Sequence, residues 1–311
     1  MAATSAATVS NASNVTNPSQ TIVSIVFGYS PNKSAAGLIG ALFVLESIFL
    51  FYRVLSSRTR GTPIWGLCLP ISVLAMGTGI LMRIPLAIYP GSIALFTVEQ
   101  ALTILPQTGF LAFNYILYTR LFLHSCVERR FSWIKIENVV RKFVTSDIIT
   151  FSIVGTGAGL LTSTTSAIYI TGGVLSQVGL VLQFVSFSVF MLSLGWTHWR
   201  LVRDGVDPYT HRWGIVFRLE YFSSSFYLLR CMYRIIEFAQ NRGGYLLIHE
   251  AWFYVFDVLP LLIGSSVYLL LWPETYLDQD SVSPPAYTDS EAGFGRLSPP
   301  SKDSKSDDVS E

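Results

Sequence analysis

Long apolar runs alternate with short polar breaks along most of the chain. Seven of these runs, at about 35–52, 63–84, 97–118, 147–165, 170–194, 215–238 and 251–272, approach or exceed the roughly 20 residues a helix needs to cross hydrocarbon. The pattern predicts an all-α integral membrane protein with seven transmembrane helices. It divides the chain into a tail over 1–32, a helical domain over 33–272 and a second tail over 273–311. Composition agrees, since 51% of residues are hydrophobic and 13% are charged, whereas a soluble domain is about a quarter charged. The first twenty residues contain no apolar core of the kind a secretory signal requires, so the first span is expected to carry its own insertion signal.

Orientation follows from the basic residues, which gather on the cytoplasmic side of membrane proteins. Arg53, Arg58 and Arg60 follow the first span. Arg120, Arg129, Arg130, Lys135, Arg141 and Lys142 follow the third, and Arg200, Arg203 and Arg212 the fifth. The alternate breaks are nearly bare apart from Arg242. The N-terminus is therefore expected outside and the C-terminus in the cytosol. Asn11-Ala12-Ser13 and Asn14-Val15-Thr16 match the glycosylation acceptor pattern in the tail predicted to be outside. Asn32-Lys33-Ser34 matches it too, but lies close to the membrane.

The polar residues inside the apolar runs carry the functional signal. A charge at membrane depth is expensive and usually faces the bundle interior with a partner. Arg230, Arg234 and Glu237 share one face of a helix, at i, i+4 and i+7. Glu250, Tyr254 and Asp257 repeat that spacing on the next helix. The two helices run antiparallel through a short connection, so Arg230 and Asp257 should lie at similar depth and pair. Arg234 is expected to meet Glu237 or Glu250. Arg83, Glu99 and Gln100 are placed to join this seam from the second and third spans, and Gln183 could line a cavity from the fifth. Asp147 is read as the N-terminal cap of the fourth span, and Glu46 lies mid-span in the first. One reading of the seam is a network that only fixes helix register. The other is a polar cavity that touches a ligand or its headgroup.

Several other chemistries are not supported. Gly155-Thr156-Gly157-Ala158-Gly159 resembles a nucleotide loop, but it lies inside a span where small residues let helices approach. Histidine occurs only at 124, 198, 211 and 249, too dispersed for a three-histidine zinc site. No lysine falls within a span, which removes a retinal Schiff base. No cofactor and no enzymatic activity are expected. Cys68, Cys126 and Cys231 make no disulfide framework. The net charge of +1 singles out no partner, and no nucleic acid is expected to bind. In the Ser- and Pro-rich C-terminal tail, Pro284, Pro285 and Tyr287 form a Pro-Pro-x-Tyr ligand for a WW domain. A WW-domain ubiquitin ligase is a candidate partner there, with Lys302 and Lys305 as acceptors.

The stretch RCMYRIIEFAQNRGGYLLIHEAWFYVFDVLP resembles the fungal lipid-translocating exporters, seven-span proteins linked to 7-aminocholesterol resistance and sphingoid-base tolerance. The shared pattern is Arg230, Arg234, Glu237, Gly243 or Gly244, Glu250, Tyr254 and Asp257, followed by Pro273. Tyr29, Pro31, Gly79, Arg83, Gln100, Pro106, Ala112, Tyr115, Arg120 and Asp147 extend the resemblance, as does Gly179 through Gln183. Met76 and Val154 depart from it, standing where a glutamate and a glutamine belong. The resemblance implies a plasma-membrane or endomembrane protein that handles amphiphiles. Its expected ligands are sphingoid-base-like or sterol-like, a cationic headgroup suiting Glu99, Glu250 and Asp257. A lipid sensor signalling to the cytosol shares the same plan and is the alternative. An indirect regulator of lipid asymmetry, acting through the tail, is a third reading.

Overall fold

The computed structural model describes residues 32–58, 64–89, 91–124, 136–161, 165–205, 210, 212–240 and 245–277. Asn11, Asn14, Cys126, Gly243, Gly244, Pro284, Pro285 and Tyr287 lie outside them. The described residues are helical throughout, without a strand. They form α1 (Lys33–Arg58), a short 3-10 turn (Ile64–Leu67), α2 (Cys68–Leu81), α3 (Arg83–Ile88), α4 (Ile93–His124) and α5 (Ile136–Leu160). There follow α6 (Ser166–Arg203), α7 (Gly214–Ala239), α8 (Tyr245–Ile248) and α9 (Glu250–Trp252). A π-helical turn (Phe253–Val258) joins α9 to α10 (Leu259–Leu270), and α11 (Glu274–Leu277) ends the described chain.

Five helical stretches are long and apolar enough to cross a membrane: Lys33–Ser56, Trp65–Ile88, Asn138–Leu160, Ala167–Arg203 and Glu250–Leu270. Helices α4 and α7 occupy the other two predicted positions and are long enough to cross, but are less apolar, α7 through its five charged residues and α4 chiefly through uncharged polar ones. Their charged and polar residues Glu99, Gln107, Asn114, Glu220, Arg230 and Glu237 are buried. The bundle thus has polar groups inside and apolar ones outside. On α1, Leu38, Leu42, Leu45, Phe49 and Tyr52 recur at three- and four-residue spacing and are all exposed. That stripe suits lipid rather than water.

The helices run up and down and pack in a ring. Helix α1 lies on α2, α2 on α4, α4 on α5, α5 on α6, α6 on α7, α7 on α10, and α10 closes back on α1. Helix α4 also touches α7 across the centre. Glycines set two of the closest approaches. A Cβ at Gly79 of α2 would stand 2.8 Å from the carbonyl of Leu102 on α4. That carbonyl loses its usual i+4 donor because residue 106 is proline. A Cβ at Gly157 of α5 would stand 2.7 Å from the carbonyl of Gly172 on α6. Tyr115, Phe143, Phe187 and Phe190 fill the interior between α4, α5 and α6, while Phe113 turns the other way onto Trp65, Tyr268 and Trp272.

One expectation changes here. Asp147 does not cap a helix, because α5 starts at Ile136, about three turns earlier. The amphipathic stretch containing Arg141 and Lys142 extends the helix beyond its apolar run. Asp147 is instead buried and accepts a hydrogen bond from the Tyr115 hydroxyl at 2.9 Å. Asn32 is the residue that caps. Its Oδ1 accepts from the backbone N–H of Ser34 at 3.0 Å and Ala35 at 3.4 Å, satisfying the free donors at the start of α1.

Candidate functional site

The seam inferred from spacing is present where α7 meets the π-helical turn. Arg230 Nε stands 3.1 Å from Asp257 Oδ1 and also 3.1 Å from the backbone carbonyl of the same residue. Arg234 binds Asp257 with both sides of its fork, Nε to Oδ1 at 2.5 Å and Nη2 to Oδ2 at 2.8 Å. Asp257 is fully buried between the two guanidinium groups. Arg234 also reaches Glu237, as expected, at 3.3 Å. Its main partner, however, is Asp257 rather than Glu237 or Glu250, because the π turn carries the carboxylate toward α7. Pro260, at the start of α10, lacks the N–H that would bond the Phe256 carbonyl, and a helix interrupted this way accommodates a π turn.

A second group of polar residues comes from the α3 and α4 side. Arg83 Nε donates to Glu99 Oε1 at 2.9 Å, and Gln100 Nε2 donates to Glu99 Oε2 at 3.1 Å. Glu250 lies 3.9 Å from Arg83 and accepts from the Tyr254 hydroxyl at 2.9 Å and the Asn32 backbone N–H at 2.9 Å. Phe253 joins the two groups. The Arg83 guanidinium sits 3.7 Å from the centre of its ring and that of Arg234 sits 5.7 Å from it. A cation over a desolvated aromatic face is attracted by the ring quadrupole, so Phe253 holds two like charges near one another.

Beside this network lies a cavity of about 220 Å³. Arg83, Gln100, Arg234 and Glu237 give it a polar side, while Phe96, Ile104, Phe151, Phe238 and Phe253 give it apolar walls. Gly155 and Gly159 of α5 border it, and a Cβ at either would meet nothing within 4 Å. The glycine run is therefore split in function. Gly157 packs against α6, as small residues in a span are expected to, while its two neighbours leave space. Glu99 and Asp257 do not line this cavity. Both are fully buried and held by arginine, so neither is available to a cationic headgroup, and Glu250 also lies off the cavity wall. Glu237 is the carboxylate that faces it. Gln183 is buried in α6 away from the cavity lining.

Two contributors escaped the sequence reading. Gln107 accepts a hydrogen bond from Arg230 through its side-chain oxygen, and Phe253 lies under Arg83. Gln107 was within reach of the same argument, since Glu99, Thr103 and Gln107 follow at i, i+4 and i+8 on one face of α4. An aromatic residue among many aromatics gives no such signal. Among the described residues, no cluster of three His, Cys, Asp or Glu side chains is placed to hold a metal ion.

Residues 70–280, which include both halves of this network, match the RTA1 like protein family. The chain belongs to that family. Protein RTM1 of Saccharomyces cerevisiae is 28% identical over 182 residues, covering 57% of each chain. Protoporphyrin uptake protein 1 of the same yeast is 28% identical over 170 residues, covering 54% of this chain and 55% of the relative. The chain thus spans a little over half the length of these relatives. No solved structure matches it. Family membership and the apolar helices together make this RTA1-like chain an integral membrane protein.

Proposed function

We propose that this RTA1-like protein crosses the membrane seven times, N-terminus outside, and moves amphiphilic lipids between leaflets, with sphingoid-base-like or sterol-like molecules as its cargo. The observation that carries this reading is the shared wall. Arg83, Arg234 and Glu237 belong both to the ion network and to the cavity. At about 220 Å³ the cavity falls short of the roughly 300–1,000 Å³ of a pocket that encloses a drug-sized ligand. It suits a headgroup whose tail stays in lipid. An amine would meet Glu237, and a neighbouring hydroxyl or anionic group would meet Arg83 or Arg234.

Other features support the topology. Seven helical segments lie at the seven apolar runs. At the end of α6, Arg200 sits 5.3 Å over Trp196 and Arg203 5.2 Å over Trp199, both tryptophans being partly exposed, as suits an interfacial aromatic belt. Arg120 stands 5.2 Å over Trp65 at the same end of the bundle. That end carries the basic residues and is assigned to the cytosol. The relative named for protoporphyrin uptake supports a transport role in general rather than this cargo. A plasma-membrane location and control by a WW-domain ligase at Pro284, Pro285 and Tyr287 complete the proposal.

The double grip on Asp257 also favours a second reading. A headgroup that recruits Arg234 would loosen α7 from α10 and signal without transport. Leaflet exchange of a labelled sphingoid base in vesicles holding the purified protein separates the two. A mover exceeds protein-free vesicles and slows on Glu237→Gln. A sensor binds the base and leaves exchange at the protein-free rate.

A further inference from the structure

A second polar cluster lies on α7 away from the cavity. Glu220 is fully buried, and neither carboxylate oxygen has a hydrogen-bond partner. Above it on the same face stand Ser223, Ser224, Tyr227, Arg230 and Arg234, at spacings that follow the helix turn. Glu220 and Arg234 are thus separated by roughly 21 Å along one polar stripe. The stripe continues onto the neighbouring helices. Asn114 of α4 donates to Ser224 at 3.1 Å and accepts from the Tyr268 hydroxyl of α10 at 2.9 Å. Tyr227 and Tyr268 both face Ser223, yet neither the Ser223 hydroxyl nor that of Tyr227 completes a hydrogen bond. Farther along, Gln107 bridges Cys231, at 3.6 Å, and Arg230.

An ionisable group buried without a counter-charge is costly to keep in a membrane protein. Nothing in the ion network uses this one. The helices packed against this end of α7 carry Tyr118 and Arg120 on α4, His198, Arg200 and Arg203 on α6, Tyr268 on α10, and Glu274 and Tyr276 on α11, and Glu46 of α1 accepts from Ser266 of α10. His198 packs edge-on against Phe217 and Tyr221, and Glu274 accepts from the Trp272 indole at 3.3 Å. Arg218, two residues before Glu220, is exposed. A carboxyl placed beside hydroxyls and an amide, rather than beside a cation, is built to exchange a proton instead of holding a fixed charge.

We propose that Glu220 is a proton-loading site, and that the hydroxyl and amide groups of Ser223, Tyr227, Asn114 and Tyr268 form a relay from it toward the Arg230–Asp257 pair. In each cycle the Glu220 O–H bond breaks and its proton passes to solvent or into the relay, where each hydroxyl takes up one proton as it releases its own while the Asn114 amide orients its neighbours without changing protonation. The carboxylate later takes one proton back from solvent, so every group ends the cycle as it began. Coupling of this step to lipid movement rests on the translocation reading above.

Two measurements on the full chain test the proposal. Infrared difference spectra of the reconstituted protein, taken across roughly pH 5 to 9, should contain a carboxyl band that titrates, is lost in Glu220→Gln and returns in Glu220→Asp. A Glu220 band unchanged over that range overturns the proton site. In vesicles with a pH difference of about one unit, coupling of one proton per molecule shifts the leaflet distribution of a labelled sphingoid base by about tenfold relative to protein-free vesicles. The shift should vanish in Glu220→Gln and return in Glu220→Asp. A shift that survives in Glu220→Gln, or exchange in the wild type that ignores the gradient, overturns the coupling. Absence of any protein-dependent exchange sinks the translocation reading, and the infrared band then decides the proton site alone.

Discussion

Arg234 grips Asp257 more closely than Arg230 does, with its Nε 2.5 Å from Oδ1 and its Nη2 2.8 Å from Oδ2. Asp257 is therefore the shared anion of a three-residue cluster, and the cluster, not a simple pair, ties α7 to the π-helical turn. Removing one member of a buried ion group leaves the others uncompensated, which typically costs about 3–5 kcal/mol. Asp257→Asn leaves Arg230 without an anion and Arg234 with Glu237 alone, while Arg234→Gln leaves Asp257 with Arg230 and frees the cavity-facing Glu237 to shed its charge. Thermal unfolding of the purified variants should rank Asp257→Asn as the more damaging. Equal losses would show that Arg230 contributes little.

The glycines of α5 separate packing from space. Gly157→Ala should push α5 from α6 and destabilise the protein by about 1–3 kcal/mol, the usual cost of overpacking. Gly155→Ala should leave its unfolding temperature nearly unchanged, because its Cβ enters open space. A substantial loss of stability in Gly155→Ala would mean that the space is filled by packed side chains.

Pro260 gives the π turn its place. Pro260→Ala supplies the missing N–H to the Phe256 carbonyl and should let an ordinary helix form, turning Asp257 away from Arg234. Circular dichroism should remain unchanged, while exchange of a labelled sphingoid base falls, by up to about a hundredfold if the turn positions the headgroup as tightly as a reacting group is held. Unaltered exchange would show that the turn has no part in the site.

Much of this arrangement was legible in the residues because membrane burial makes polar positions conspicuous. The 3.6-residue period placed Arg230, Arg234 and Glu237 on one face, and the short connection put Asp257 at the same depth. The π turn could not be read in that way. It shifts the carboxylate by a fraction of a turn, and so changes which arginine holds it best. The start of α5 was missed because Ile136 to Lys142 is amphipathic rather than continuously apolar. Gln107 shares a face with Glu99 and was legible by the same spacing, whereas Glu220 stands among aromatic and hydroxyl residues and its lack of a partner emerges only once the helices are packed. The cavity depends on where α5 lacks side chains, and only neighbouring helices distinguish Gly155 from Gly157.

The central claim is that the cavity beside Arg83, Arg234 and Glu237 is the path of an amphiphile's headgroup. Gly155→Phe tests it most directly, since it fills the space from α5 without replacing any residue of the ion network. Leaflet exchange of a labelled sphingoid base would be followed in vesicles containing wild type or this variant, both confirmed to unfold at similar temperatures. The account predicts exchange well above protein-free vesicles for the wild type and near the protein-free rate for Gly155→Phe. Exchange in the variant equal to the wild type would contradict it.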